Sequence, residues 1–399
     1  MYFPTLHGAS FEIKHYTMQF NKKYLEKLGV AIELTAFAPE KKTGEWHAIL
    51  HVEPRGESFQ EQFRRISEAE SWLLDSADMK GAKPVFKRYF LSDATNQRPL
   101  MPQDDTCTVS YIQQPPLDGS KVAAWLYLQS GTEITPTADR LLSTQIRHNG
   151  YEHLWTMGLT IGEGSSYSQT QNLLEDYEAL LEEHEMTLED NCIRTWFFVR
   201  DVDTQYKGLV LARWENFAQH GLVPETHYIA STGIGGNPSD PKAIIQLGSY
   251  ALKGFKPEQQ RYLYATSHLN RTSEYGVTFE RGTLLQFGDR NHAIISGTAS
   301  INNQGEVEHV GDVEKQKKRM WENVETLLAE AGMTMDDAAQ LIVYLRDGAD
   351  FEKVRGMFQE KYPHVPTVFT LAPVCRPTWL IEMECIAIQP AENEGFKDF

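Results

Sequence analysis

Cysteine is scarce in this chain: Cys107, Cys192, Cys375 and Cys385 are the only four in 399 residues. A disulfide framework needs a denser supply, so a core and not crosslinks must hold the fold, and the thiols fit a reducing cytoplasm. Long apolar runs are missing too. None reaches the ~20 residues that a membrane-spanning helix requires, and residues 1–20 lack the charged-then-apolar pattern of a secretory signal. Positive charge is the third deficit, with 38 Lys and Arg against 55 Asp and Glu, a net charge of −17. A phosphate backbone asks for a basic face, so nucleic acid is excluded as a partner, and no membrane is expected. An anionic small substrate would have to be held by a local arginine cluster working against that global field.

Several chemical signatures fail as well. Thr232-Gly233-Ile234-Gly235-Gly236 lacks the Lys-Ser/Thr ending and the strand-to-helix setting of a phosphate loop. His47 and His51 lie four apart on a strand pattern with no partner carboxylate, which is not metal-ligand spacing. No Ser-His-Asp order stands out. Neither metal nor cofactor is expected.

Repetition is what the chain does have. Tyr177-Glu178-Ala179-Leu180-Leu181 and Asn323-Val324-Glu325-Thr326-Leu327-Leu328 read as helices with leucines at core spacing, each closed by a Met-Thr turn and an acidic pair. Both run into a strand ending in Arg-Asp, at Arg200-Asp201 and Arg346-Asp347, 146 residues apart. Upstream, His153-Leu154-Trp155-Thr156-Met157-Gly158 matches His292-Ala293-Ile294-Ile295-Ser296-Gly297. Downstream, Thr226–Ala230 and Ala243–Leu247 match Thr367–Leu371 and Trp379–Met383. A weaker copy opens the chain, with a helix over Phe59–Leu74 and the Arg-Asp strand end reduced to Ser92-Asp93. It lacks the helix after Asp93. The expectation is three related α+β modules near residues 30–130, 140–252 and 283–390, with domains at 1–135, 136–282 and 283–399. Residues 1–29 read as a preface, 253–282 as an aromatic, basic linker, and 392–399 as a frayed polar tail.

The most telling stretch is Trp379-Leu380-Ile381-Glu382-Met383-Glu384-Cys385-Ile386-Ala387-Ile388. Strand alternation puts Leu380, Glu382, Glu384 and Ile386 on one face. A carboxylate among apolar neighbours has a raised pKa and suits a proton donor, whereas alternation alone also fits a strand with one wet face.

Ile294-Ile295-Ser296-Gly297, the amphipathic helix, the Arg-Asp strand end and the Glu-Met-Glu-Cys strand together resemble the Rid (reactive-intermediate deaminase) family. That family forms trimers with pockets between subunits. The resemblance implies an α+β fold of three Rid-like (chorismate-mutase-like) modules, a single-chain pseudo-trimer with pockets at the module interfaces. From Arg194 onward, Arg194-Thr195-Trp196, Ser231-Thr232-Gly233, Glu274-Tyr275-Gly276, Ser296-Gly297-Thr298 and Val374-Cys375-Arg376 resemble the chorismatases. This implies cleavage of the enolpyruvyl ether of chorismate, releasing pyruvate and a hydroxybenzoate or a dihydroxycyclohexadienoate.

Cleaving that ether by protonating its methylene carbon needs a neutral acid, and Glu382 fits. The aligned Gln246 of the second module cannot donate an acidic proton, so one site per chain is expected. Two substrate carboxylates ask for guanidinium. Arg355 falls where Rid proteins place a polar pocket residue; Arg194, Arg261, Arg281 and Arg376 are further candidates, and Tyr275 a candidate ring contact. The Rid carboxylate-binding arginine aligns with Val368, a departure that counts against deaminase chemistry. Cys375 and Gly297 resemble pocket residues of hydroxybenzoate-forming chorismatases, which favours 3-hydroxybenzoate. Ser296 and Gly297 also have N–H groups to offer a carboxylate. The alternatives are a Rid-type imine or enamine hydrolase and a non-catalytic metabolite binder. The partner expected is a small dicarboxylate, and the assembly a monomer acting as a pseudo-trimer or a higher homo-oligomer.

Overall fold

A computed structural model describes residues 18–79, 81–137 and 143–399. The first module runs β1 (Gln19–Leu25), β2 (Val30–Phe37), β3 (Gly44–Val52), α1 (Phe59–Leu74), β4 (Lys83–Leu91), α2 (Ala94–Gln97), β5 (Thr108–Gln113) and β6 (Val122–Ser130). The second comprises β7 (Glu133–Pro136), β8 (Thr144–His148), β9 (Tyr151–Thr160), α3 (Ser166–Glu183), α4 (Leu188–Asn191), β10 (Cys192–Val199), α5 (Val202–Gln219), β11 (Ala230–Gly235), β12 (Asn237–Pro238) and β13 (Ile245–Lys253). In the third follow β14 (Gln260–Leu263), β15 (Gly282–Gln286), β16 (Arg290–Ala299), α6 (Val313–Glu330), β17 (Ala338–Leu345), α7 (Phe351–Lys361), β18 (Thr367–Leu371) and β19 (Ile381–Pro390).

Each module makes one mixed sheet in the same order. The last long strand (β6, β13 or β19) sits between the strand before the long helix (β3, β9, β16) and the strand after it (β4, β10, β17). The pairs β4/β5, β10/β11 and β17/β18 are parallel, as a helical crossover demands. The long helices start alike: Ser58, Ser165 and Asp312 each accept the backbone N–H three residues on, closing an orphan donor. Three Rid-like modules therefore form a single-chain pseudo-trimer.

Register fixes equivalence residue by residue. Glu382 faces Tyr344, Gln246 faces Phe198 and Ala123 faces Phe90, so Glu382, Gln246 and Ala123 occupy one position in three copies. Two residues on, Glu384, Gly248 and Trp125 are likewise equivalent. These strands meet in a shared interior. There the Arg88 guanidinium, wholly buried, lies 5.2 Å from the Trp125 ring, 5.0 Å from Trp196 and 4.9 Å from Phe198. Direct ties cross the module boundaries: the Thr35 hydroxyl donates to the Ala339 carbonyl at 2.7 Å, and Glu33 accepts the Thr367 N–H at 3.0 Å.

Several expectations need correction. The strand equivalent to β18 is Ala230–Gly235 and not Thr226–Ala230, because only the former pairs in parallel with β10. The true strand contains Gly233 and Gly235, residues that strand patterns disfavour. They are needed where neighbours press close: a Cβ on Gly233 would lie 2.9 Å from the Tyr206 ring, and one on Gly235 would lie 2.7 Å from the Pro373 carbonyl. The linker contains a true edge strand, β14, and the preface contains β1; residues 1–17 of the preface lie outside the described residues. Nor is the tail frayed. Phe399 is 3% exposed, packs edge-on against Phe287 at 4.9 Å, and donates its N–H to Asp289 at 2.9 Å. All four cysteines are free thiols. Among the described residues no helix is long and apolar enough to cross a membrane.

Candidate functional site

A cleft opens where each pair of modules meets. In two of the three a helix from one module, α5 or α7, faces the strand before the long helix of the next. Between modules three and one lies about 230 Å³, walled by α7 and by β2 and β3; between one and two, about 320 Å³, walled by β5 and β9. The cleft between two and three is the tightest, about 40 Å³, and it contains Glu382. Its walls are Tyr206 and Arg213 from α5, Ser231 and Gly233 from β11, and Gly297, Ala299 and Glu382 from β16 and β19. Val277, Phe279 and Arg281 close it from the segment before β15, and Cys375, Arg376 and Trp379 from the loop before β19.

β19 has no wet face: every residue from Ile381 to Ile388 is buried. Glu382 sits near its start, beside the bulge at Ser296 and Gly297 where the β16–β19 register slips. Burial first, and then the charge of Glu384, push the Glu382 carboxyl from 4.5 up to about 8, while Arg194 and Arg281 pull it down. It is therefore protonated at neutral pH. Glu384 is placed very differently. One oxygen accepts from Arg194 Nη2 at 2.7 Å and from the Thr232 hydroxyl; the other accepts from Trp196 Nε1 at 2.9 Å and has Arg88 Nη1 at 3.6 Å.

Two buried guanidinium groups and a part-buried thiol complete the chemistry. Arg213, 1% exposed, donates from Nε to the Thr278 hydroxyl at 3.0 Å and from Nη1 to Ser231 at 3.4 Å. Arg281, 3% exposed, is braced by Asn270. Cys375 is pushed up to about 12, by burial first and then by Glu382, so it is a thiol and no nucleophile at neutral pH. The Tyr206 hydroxyl lies beside it.

Of the residues expected from sequence, Glu382, Cys375, Arg281, Gly297 and Arg376 converge on this cleft. Arg194 lies behind its wall, spent on Glu384, Thr232 and Ser296. Arg355 does not reach the cleft. It lines the one between modules three and one, paired with Glu352 of its own helix at 2.6 Å. The reason is the handing-over of helices: the helix facing β19 across a cleft is α5, from the second module, and the arginine it carries is Arg213. The repeat pointed to the helix but not to the residue: shifting Arg355 back by 146 positions lands on Leu209, whereas Arg213 corresponds to Gln359. Arg261 is exposed on edge strand β14 and donates to the Glu330 carbonyl at 2.8 Å, away from the cleft. The Tyr275 side chain lies outside the described residues. The N–H groups of Ser296 and Gly297 are both occupied, by the Arg281 carbonyl at 3.0 Å and the Thr232 hydroxyl at 2.8 Å, so neither is offered to a ligand.

A family model for Endoribonuclease L-PSP matches residues 287–389. A RutC family protein of Pyrococcus abyssi is 34% identical over 100 residues, which are 24% of this chain and 78% of that protein. The 3-aminoacrylate deaminase RutC of Acinetobacter baylyi is 27% identical over 99 residues, 24% of this chain and 79% of that protein. Among solved structures, a chorismatase superposes with a TM-score of 0.61 at 19% identity, covering 78% of this chain and 96% of its own. That last likeness is one of fold.

Proposed function

This chain belongs to the RutC family through its third module, and from that premise we propose that it is a chorismatase acting in the cleft between modules two and three. The observation that carries the reading is a carboxyl held neutral, Glu382, in a cleft walled by Arg213, Arg281 and Arg376. A neutral carboxyl is an acid, and the arginines suit the two carboxylates of chorismate.

Glu382 donates its proton to the methylene carbon of the enolpyruvyl ether. Capture of the resulting oxocarbenium ion by water returns a proton to Glu382 and gives a hemiketal, which breaks at the ring oxygen into pyruvate and the dihydroxycyclohexadienoate. Capture by the neighbouring ring hydroxyl gives a cyclic ketal, which loses a ring proton and one ring C–O bond to become aromatic and then opens into pyruvate and the hydroxybenzoate. The carboxylate left on Glu382 by the first proton transfer is stabilised by Arg194 and Arg281, the cations that act on it. A ring-bearing substrate exceeds 40 Å³, so the wall must give way on entry. The parts of the wall outside sheets and long helices are the segment with Val277 and Phe279 and the loop with Cys375, Arg376 and Trp379, and these are the parts free to yield. Cys375 as a thiol beside Glu382 favours a hydroxybenzoate product, with 3-hydroxybenzoate first. No cofactor enters this scheme.

Deaminase chemistry is disfavoured by register. The position of the Rid carboxylate-binding arginine is Val368 in module three, Thr232 in module two and Ser110 in module one, equivalents because they pair with Ile342, Trp196 and Arg88. None is arginine. Incubating the protein with chorismate, following pyruvate by a coupled assay and separating the ring product tests the proposal; absence of pyruvate overturns it.

A further inference from the structure

The strand β19 carries two carboxylates on one face, two residues apart, and they are treated in opposite ways. Glu384 is 2% exposed and is gripped by Arg194, Thr232 and Trp196, with Arg88 beside it. Glu382 is 5% exposed, and no hydrogen bond or ion pair from a described residue reaches its carboxyl. Arg194 is the hinge of the contrast. Its Nη2 is shared by Glu384 and Thr232, and its Nη1 donates to the Ser296 hydroxyl at 3.1 Å, so three acceptors fix the plane of the guanidinium.

Thr232 is saturated by the same arrangement. Its hydroxyl donates to Glu384 and accepts from Arg194 and from the Gly297 N–H at 2.8 Å, which uses its one donor and both lone pairs. Gly297 in turn is the backbone against which the Glu382 carboxyl rests. A buried guanidinium is strongly stabilised by an anion, since leaving its charge uncompensated in the interior is costly. Among the described residues, two carboxyl groups on this face act on Arg194: Glu384, which bonds to it, and Glu382.

We infer that Glu384 is a positioning residue that engages Arg194 and holds it off Glu382, so that the acid of the cleft keeps its proton. The inference rests on the reading of Glu382 as that acid. One carboxylate of the pair is spent as counter-ion, which leaves the second neutral. Other charged or titratable groups also face Glu382: Tyr344 on β17, Tyr206 and Arg213 on α5, and Arg281, Cys375 and Arg376 from the loops. None of these grips Arg194.

The test follows the protonated-carboxyl carbonyl stretch in the infrared spectrum of protein labelled with ¹³C-glutamate, assigned by its loss in Glu382→Gln. In the wild type this band is present at neutral pH and disappears as pH rises through about 8. In Glu384→Gln, Arg194 turns to Glu382, and the band vanishes at least one pH unit lower. Pyruvate release at neutral pH then falls tenfold or more in kcat, with little change in KM, and recovers on acidification. The double variant Arg194→Met/Glu384→Gln restores the band. Should Glu384→Gln not fold, Glu384→Asp draws the charge back by one methylene and gives a smaller downward shift. A folded Glu384→Gln or Glu384→Asp in which Glu382 titrates as in the wild type overturns the inference. If the wild type releases no pyruvate from chorismate, the substrate reading fails while the infrared titration still decides the role of Glu384.

Discussion

A Cβ placed on Gly297 would lie 2.3 Å from Oε1 of Glu382 and 2.9 Å from Cγ2 of Thr232. The acid thus leans on bare backbone at the bulge, and any side chain there displaces it. The atom in the way is the far end of a side chain, so the acid yields before the strand does. Gly297→Ala is expected to fold with a Tm within a few degrees of wild type and to lose at least tenfold in kcat for pyruvate release. Unchanged kcat would mean that the carboxyl has room to turn.

Glu382→Gln keeps the shape of the acid and removes its transferable proton. The expected loss in kcat is about 10²–10⁴, the usual worth of general acid catalysis, with binding of a non-reacting chorismate analogue retained. In the wild type the same group sets the alkaline limb, with kcat falling as pH rises through about 8. A flat profile from neutral pH to about 9 would exclude Glu382 as the donor.

Stability carries the same signature. The folded value of Glu382 is raised from 4.5 to about 8, so its contribution is fully present below 4.5 and is lost as pH rises through 8. At one pH unit per ~1.4 kcal/mol, up to about 5 kcal/mol is at stake. Glu382→Gln lacks that term. Denaturant melts of both proteins should show the variant gaining on the wild type by a few kcal/mol between about pH 5 and pH 9; parallel curves would contradict it.

The arginines divide by cleft. Arg213→Met should cost kcat/KM about 2–4 kcal/mol, the range for breaking a desolvated charge contact. Arg355→Met, on a half-exposed helix site paired with Glu352, should cost under about 0.5 kcal/mol. Equal effects on chorismate turnover would dissolve the assignment of the cleft.

Much of this was legible from residue patterns. Helix Phe59–Leu74 has its predicted ends, because Ser58 caps it and its apolar spacing is regular. The equivalence of Gln246 with Glu382 was visible because both follow alternating strands at a constant offset. Strand β11 was not, since Gly233 and Gly235 answer to Tyr206 and Pro373, contacts that local composition cannot report. Arg213 stayed hidden for a related reason. α5 carries apolar residues on its outer face as well, Leu211 and Trp214 being exposed, so its inward arginine did not break any pattern. The burial of β19 on both faces depends on a neighbouring module, which alternation along one strand does not encode.

Strand β12 belongs to the second module in sequence but completes the sheet of the first, pairing Asn237 with Gln113 and Pro238 with Ile112. A cut between the first two repeats would therefore leave β5 as a bare edge on one fragment and a two-residue strand without a sheet on the other. Exposed edges of this kind recruit other chains. The shortest fragment with a finished first sheet runs to Pro238, which means that dissecting this protein into its repeats is expected to yield aggregates from the first one, however cleanly the sequence divides.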